Sequence, residues 1–376
     1  MKHIYFLFLL TSFLSFAQPT GYYDWANGRN GYPLKTALKE IIDANNDGLS
    51  TEYLSVDNGY GGLYITYETS DRDNYFEDNG TVLDMYSERV DSDGNNLADN
   101  YEYTYEIENP DDRDSGSGGT SEGEYYNREH VIPQSVFDSD DPMRNDAHFV
   151  IPSDKFVNAQ RGNFPFGVVD SPDWTSTNGS KRGNNLNSGY SAGYTNTVFE
   201  PIDEFKGDIA RMFFYFVTRY EDDITGFNTY DMFDGSSDKV FNQTFLNILY
   251  QWHLDDPVSI REQDRNNAIF ARQNNRNPFI DHPEYVQQIW SASLSTENNY
   301  NSISVSMYPN PVKNNLHFST TQDLDLIIYD VLGKKVLIEK VSSDQNSVDV
   351  SSFNKGIYLV RLISENGQVT KKLIKQ

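Results

Sequence analysis

The sequence predicts an α+β chain in two parts: a mainly helical N-terminal domain with a small sheet, then a small all-β sandwich. Three observations carry this. Apolar residues at Leu34, Ala37, Leu38, Ile41 and Ile42 keep the spacing of an amphipathic helix, and Ile209 to Val217 is apolar nearly all round, as a central buried helix would be. The last seventy-odd residues alternate instead in short strands separated by turn residues. Charge divides at the same place: residues 303–376 hold nine Lys/Arg and seven Asp/Glu, a net of +2, leaving −28 for residues 1–302 in a chain of −26.

Taken in order, residues 1–17 read as a secretory signal. Lys2 gives the positive start, Ile4 to Phe16 a largely apolar run, and Ser15-Phe16-Ala17 a small-residue cleavage site. The run is shorter than a membrane span, and no later stretch approaches the roughly 20 apolar residues a span needs. The mature chain is therefore expected to be exported and soluble. Residues 18–292 form the first domain. It opens with the helix at Leu34 to Asp43, continues through a polar stretch rich in Asp, Tyr and Gly over 66–126, with an acidic loop at Asp114 to Glu124, and includes a helix from Asp203-Glu204 to about Tyr220. Those two acids suit the positive end of a helix. The polar run 293–302 is the linker. Strands follow at Ile303–Met307, Leu316–Phe318, Leu326–Asp330, Lys335–Val341, Gly356–Leu362 and Val369–Ile374, at the intervals of a β-sandwich.

The chain has no cysteine, which excludes disulfides, thiolate catalysis and Cys-containing zinc sites. Stability must come from the core, with 26 Tyr and 23 Phe available to it, and from any bound calcium. Two acidic stretches are candidates for structural Ca²⁺. Asp43-Ala44-Asn45-Asn46-Asp47-Gly48 matches the first half of an EF-hand loop but has Leu54 where the last ligand belongs, and Asp91-Ser92-Asp93-Gly94-Asn95-Asn96 shares the pattern; an acidic turn is the alternative for each. A net charge of −26 argues against a polyanionic partner, whose binding draws on basic surface.

One short region argues the other way. Asn127-Arg128-Glu129-His130-Val131-Ile132-Pro133-Gln134-Ser135 is answered by Asp146-Ala147-His148 and by Asn158-Ala159-Gln160-Arg161-Gly162-Asn163. Together they hold a carboxylate, an imidazole, an amide and a guanidinium, the inventory for cutting a phosphodiester with one divalent cation. Glu129 is a hard oxygen ligand suited to Mg²⁺. His130 is a suitable general base, largely neutral near pH 7. Neighbours on a strand face opposite sides, so both serve one site only where the strand bends or ends, and Pro133 supports such a break. A zincin helix needs His-Glu-x-x-His; here the order is reversed and position 134 is Gln.

These motifs resemble the bacterial endonuclease I family of secreted ββα-metal (His-Me finger) nucleases. The spacing agrees, with ten positions from His148 to Asn158 and three from Asn158 to Arg161. So do Asp84-Met85-Tyr86-Ser87, Phe164-Pro165-Phe166-Gly167, Glu200-Pro201 with Lys206 to Arg211, and Asn274 to Pro283. The resemblance implies a metal-dependent endonuclease acting on DNA and RNA through backbone phosphates. It implies His130 as the water-activating base, Glu129 and Asn158 as ligands of Mg²⁺ (Mn²⁺ or Ca²⁺ in its place), and 5′-phosphate products. It also implies an arginine on the phosphate: Arg144 by order along the chain, or Arg161, one helical turn from Asn158. Arg128, Lys155, Lys181 and Arg182 are further candidates for phosphate contact, while His148 reads as structural. The C-terminal motifs Tyr308 to Val312, Asp330 to Lys334, Lys355 to Arg361 and Lys371 to Ile374 resemble the type A sorting domain of type IX secretion. That implies a partner in the secretion machinery, export through the periplasm, and a secreted or cell-surface monomer. The alternatives are an inactive nucleic-acid-binding or adhesive surface protein, and a phosphodiesterase on another substrate.

Overall fold

The computed structural model describes residues 18–294 and 305–376, apart from 44, 46–47, 49–52, 77, 89–101, 106–111, 321–322, 331–333, 343–345 and 365–366. The signal segment, most of the linker, the second calcium candidate and the middle of Asp330 to Lys334 lie outside the described residues. The chain divides into two compact units at Ser293/Leu294.

In the first unit, the amphipathic run forms α1 (Tyr32–Ile42), with Pro33 in its opening turn and Leu34, Leu38, Ile41 and Ile42 buried. A second helix, α2 (Gly62–Ser70), lies inside the polar stretch. Strand β1 (Tyr126–His130) pairs antiparallel with β2 (Val150–Asp154), with His130 opposite Val150 and Glu129 opposite Ile151. Helix α3 (Lys155–Arg161) follows β2 without a loop. The Asp154 side chain makes this possible by accepting the backbone N–H groups of Phe156 (2.7 Å) and Val157 (2.9 Å), two donors a helix start leaves unpaired. The result is a β–β–α finger. Beside it lies an antiparallel sheet in the order β3 (Val169–Thr175), β4 (Lys181–Asn185), β5 (Thr197–Glu200).

The core is built on α4 (Lys206–Arg219), in which every residue from Gly207 to Arg219 is buried, as its all-round apolar run predicts. A short 3₁₀ turn, Asp203–Phe205, leads into it. Helices α1, α5 (Gln243–Asp255) and α7 (Pro278–Asp281) pack against α4, and α6 (Ile260–Gln273) packs against α2 and α7. Phe214 of α4 meets Trp290 of α8 (Glu284–Leu294), with ring centres 4.8 Å apart and planes tilted by 42°. Among the described residues no helix is long and apolar enough to cross a membrane.

The second unit consists of two antiparallel sheets. One has the order β10 (Ser347–Asp349), β7 (Asn315–Ser319), β6 (Ser306–Tyr308). The other has the order β12 (Gly367–Lys375), β11 (Gly356–Ser364), β8 (Leu324–Tyr329), β9 (Lys335–Val341). Alternate residues such as Leu326 and Ile328 on β8, and Val360 and Leu362 on β11, enter one core with Leu316 and Phe318. Strand β10, only three residues long, was absent from the expected set.

Candidate active site

Strand β1 ends at His130 and α3 begins three residues before Asn158, so the finger brings both chain segments to one cleft of about 440 Å³. Glu129, His130, Asn158 and Arg161 line it, together with Asn127, Arg128, Tyr60 and Tyr64. Arg144 meets the site from behind. Its backbone carbonyl lies 3.0 Å from His130 Nε2, and its guanidinium sits 4.2 Å from the centre of the Tyr60 ring.

A carbonyl only accepts, so His130 Nε2 carries the hydrogen and donates it, which leaves the lone pair on Nδ1. Burial pushes the His130 pKa down to about 4, assisted by Arg128, Arg144 and Arg161, while the Arg144 carbonyl opposes. The ring is neutral near pH 7 and able to take a proton.

Glu129 is 2 % exposed. Its Oε1 accepts from Tyr86 Oη at 3.0 Å and lies 3.3 Å from Arg161 Nη1. Burial nonetheless outweighs Arg161 and the hydrogen bonds and raises its pKa to about 7. A buried carboxylate that one guanidinium does not fully compensate is a group that a cation would stabilise. Asn158 Nδ2 donates to Asn127 Oδ1 at 2.8 Å, which leaves Oδ1 to coordinate. One carboxylate and one amide oxygen beside open solvent fit a hard divalent ion that keeps several waters. Among the described residues no group of three or more His, Asp or Glu side chains could hold a metal. Of the first calcium candidate, residues 44, 46 and 47 lie outside the described residues; Asp43 accepts from the Asn45 backbone N–H (2.9 Å) and amide (3.0 Å) and pairs with Lys39 at 3.6 Å.

Arg161 is 1 % exposed. Its guanidinium donates to the carbonyls of His130 (3.2 Å) and Val131 (2.5 Å) besides facing Glu129. Arg128 is placed otherwise: its guanidinium carbon lies 3.4 Å from the centre of the Tyr60 ring and 4.5 Å from that of Tyr64, and Nη1 donates to the Tyr60 carbonyl at 2.8 Å. Lys155 pairs with Asp114 at 2.6 Å and Arg182 with Asp173 at 2.9 Å. His148 is buried, with Nε2 3.0 Å from the Asn275 carbonyl, and serves the core.

Sequence reasoning assigned no role to Asn127, Tyr60, Tyr64 or Tyr86. Strand alternation could have found Asn127, since it shares a face of β1 with Glu129. Tyr86 lies in the motif Asp84-Met85-Tyr86-Ser87, which gave it no role, and Tyr60 and Tyr64 carry no local signal because they arrive from a segment remote in sequence.

A buried carboxylate, a neutral imidazole and an amide oxygen on a β–β–α finger are groups suited to the hydrolysis of phosphate esters. Residues 30–284 match the family model for Endonuclease I, and the chain belongs to that family, a group of nucleases that generally use a divalent cation. Two curated relatives are similar to it. The "Extracellular ribonuclease" of Bacillus subtilis (strain 168) is 32 % identical over 293 residues, covering 74 % of this chain and 84 % of that protein. The "Extracellular ribonuclease" of Bacillus amyloliquefaciens is 32 % identical over 274 residues, covering 72 % and 78 %. Residues 306–376 match the secretion system C-terminal sorting domain, so this is a nuclease that is secreted or held at the cell surface.

Proposed function

We propose that this nuclease hydrolyses RNA and DNA endonucleolytically without reading sequence, with His130 activating water beside a divalent cation, Mg²⁺ foremost, held by Glu129 and Asn158. The observation that carries the reading is the 3.0 Å contact of His130 Nε2 with the Arg144 carbonyl, which commits Nδ1 as the basic atom in the cleft that holds both ligand oxygens. When bound, the cation supplies Lewis-acid stabilisation of charge gathering on the phosphoryl and departing oxygens. His130 Nδ1 takes a proton from water as the water oxygen attacks phosphorus. The bond to the 3′ oxygen breaks, and the phosphate stays on the 5′ side. Tyr86 and Arg161 hold Glu129 in place. Arg128 and Arg144, both packed on Tyr60, meet the phosphate's charge, and contacts of that kind position a strand without reading it. Cleavage of RNA is supported by the names of the relatives.

The test is cleavage of supercoiled plasmid and of RNA by the full chain, with Mg²⁺ and with chelator, beside His130→Ala. Metal-dependent cutting should fall about 10²–10⁴-fold in the variant, the usual share of a general base. No cutting of either polymer with Mg²⁺, Mn²⁺ or Ca²⁺ would overturn the reading.

A further inference from the structure

We propose that a groove adjoining the catalytic cleft is a subsite for an unpaired nucleobase of the substrate strand, with Phe164 as its stacking platform. The proposal rests on the nuclease reading above and deepens it.

Helix α3 ends at Arg161, and Gly162, at φ +55°, turns the chain so that Asn163 and Phe164 emerge at the surface. Ser135, Gly162 and Asn163 line the catalytic cleft and also a second cavity of about 620 Å³, so the two adjoin. Phe164, Pro165, Tyr194 and Tyr230 wall this second groove. Phe164 is 37 % exposed, the one phenylalanine among the described residues that is exposed rather than buried or half-buried, and its ring pairs with no other aromatic ring among them. Tyr194 is fixed in advance: its hydroxyl donates to Asp231 Oδ2 at 2.6 Å and its ring meets Phe245 at 4.9 Å. A wall that is already ordered costs little further entropy on binding.

Charge identifies the occupant. Among the described residues no Lys, Arg or His lines the groove, and Asp231 adds a carboxylate, which accepts hydrogen bonds and repels phosphate. The part of a nucleic acid that fits there is its uncharged, flat part. Every base has a π-face to offer an aromatic side chain, and polar groups such as Asn196, Thr229 and Asp231 can meet its edge. A duplex keeps its bases stacked inside, so the groove selects single-stranded segments. It also supplies affinity that does not depend on basic surface, which a chain of net charge −26 lacks overall.

The experiment is fluorescence anisotropy of the full chain with a labelled single-stranded oligonucleotide, and with the same strand made abasic, both in chelator. Cleavage of the intact strand in Mg²⁺ is followed in parallel. Phe164→Ala should weaken binding of the intact strand about tenfold, within the usual worth of one base–aromatic stack. Phe164→Tyr should restore it, and the abasic strand should bind wild type and Phe164→Ala alike. If Phe164→Ala binds the intact strand as tightly as wild type, or loses affinity equally for both strands, the subsite is wrong even though wild type still cuts. If wild type neither binds nor cuts, the nuclease reading has failed and the subsite falls with it.

Discussion

Arg161 spends its charge inside the protein. It is buried against the Glu129 carboxylate while holding the carbonyls of His130 and Val131, the residues where β1 stops. Its removal leaves Glu129 in the interior without its countercharge, so the carboxyl must stay ionised at a desolvation cost or take up a proton, and breaking a buried pair from one side usually costs about 3–5 kcal/mol. Arg161→Ala should therefore lower stability by that order in urea melts, and the intact fraction should cut poorly because the end of β1 is no longer held. A variant as stable as wild type would show that water reaches Glu129. The motif spacing made this arginine visible in sequence; whether it faces phosphate or protein depends on burial, which spacing does not encode. His148 shows the same limit. It is buried with Nε2 on the Asn275 carbonyl and Nδ1 without a protein partner, and burial pushes its pKa from 6.5 down to about 4. The unfolded chain takes up a proton near 6.5 and the folded one only near 4. The stability this group contributes is thus complete above pH 6.5 and lost as pH falls through that window, about 3 kcal/mol in all. Asp84 and Glu129, both raised to about 7 mainly by burial, have the opposite sign: their contribution is complete below the ordinary carboxylate range and lost as pH rises through 7. His148→Gln isolates one contribution from the other. Its melting temperature should fall less steeply than that of wild type between pH 6.5 and 4, and equal slopes would remove His148 from the account.

At the scale of elements, the finger depends on the junction of β2 and α3. Asp154 is fully buried there, with Oδ1 capping α3 and Oδ2 accepting the Gly123 backbone N–H at 2.7 Å and the Tyr103 hydroxyl. Asp154→Ala removes the cap and strands those donors, a loss of about 2 kcal/mol or more. It should also lower cleavage, because Asn158 is one turn into the helix. Asp154→Asn keeps an acceptor at the cap and should retain most of the stability; chemical denaturation beside cleavage rates separates the two, and equal losses in both variants would place the effect in the charge instead. Some elements with apolar burial were legible: α1 follows from periodicity, α4 from its all-round apolar run, and the end of β1 from Pro133, whereas α5, which buries Phe245, Leu246, Ile248, Leu249 and Trp252, was not expected. Helix α6 was not legible, because its buried face is Arg261, Glu262, Arg265, Asn266 and Gln273, with Ile269 as its single apolar member. Those side chains are carried inside by pairing, Arg261 with Asp208, Arg265 with Asp71 at 2.7 Å and Glu262 with Arg211 at 2.5 Å, so a search for apolar spacing passes over them. Strand β3 escaped for a related reason: it includes Pro172, is irregularly paired and is exposed along most of its length, so hydrophobicity never alternates.

For the whole molecule, the tension is between a net charge of −26 and a polyanionic substrate. The structure narrows it by showing which cations near the cleft are already committed: Lys155 to Asp114, Arg182 to Asp173, and Arg161 to Glu129. Arg128, which lines the cleft, and Arg144 beside it, both packed on Tyr60, are the cations proposed above to meet phosphate. Each phosphate neutralised on a single strand steepens the fall of log K against log salt by about 0.7. Two contacts therefore predict a slope of about −1.4, shallow for a nucleic-acid-binding protein, because stacking and metal coordination carry no counterion release of this kind. Binding of a labelled single strand to the full chain across a range of NaCl concentrations, in chelator, measures it directly. Arg128→Gln should bring the slope to about −0.7 while leaving the stacking contribution intact. A slope several times steeper in wild type would mean that basic surface outside the cleft does the binding, and that the acidity of the chain is confined to faces the strand never meets.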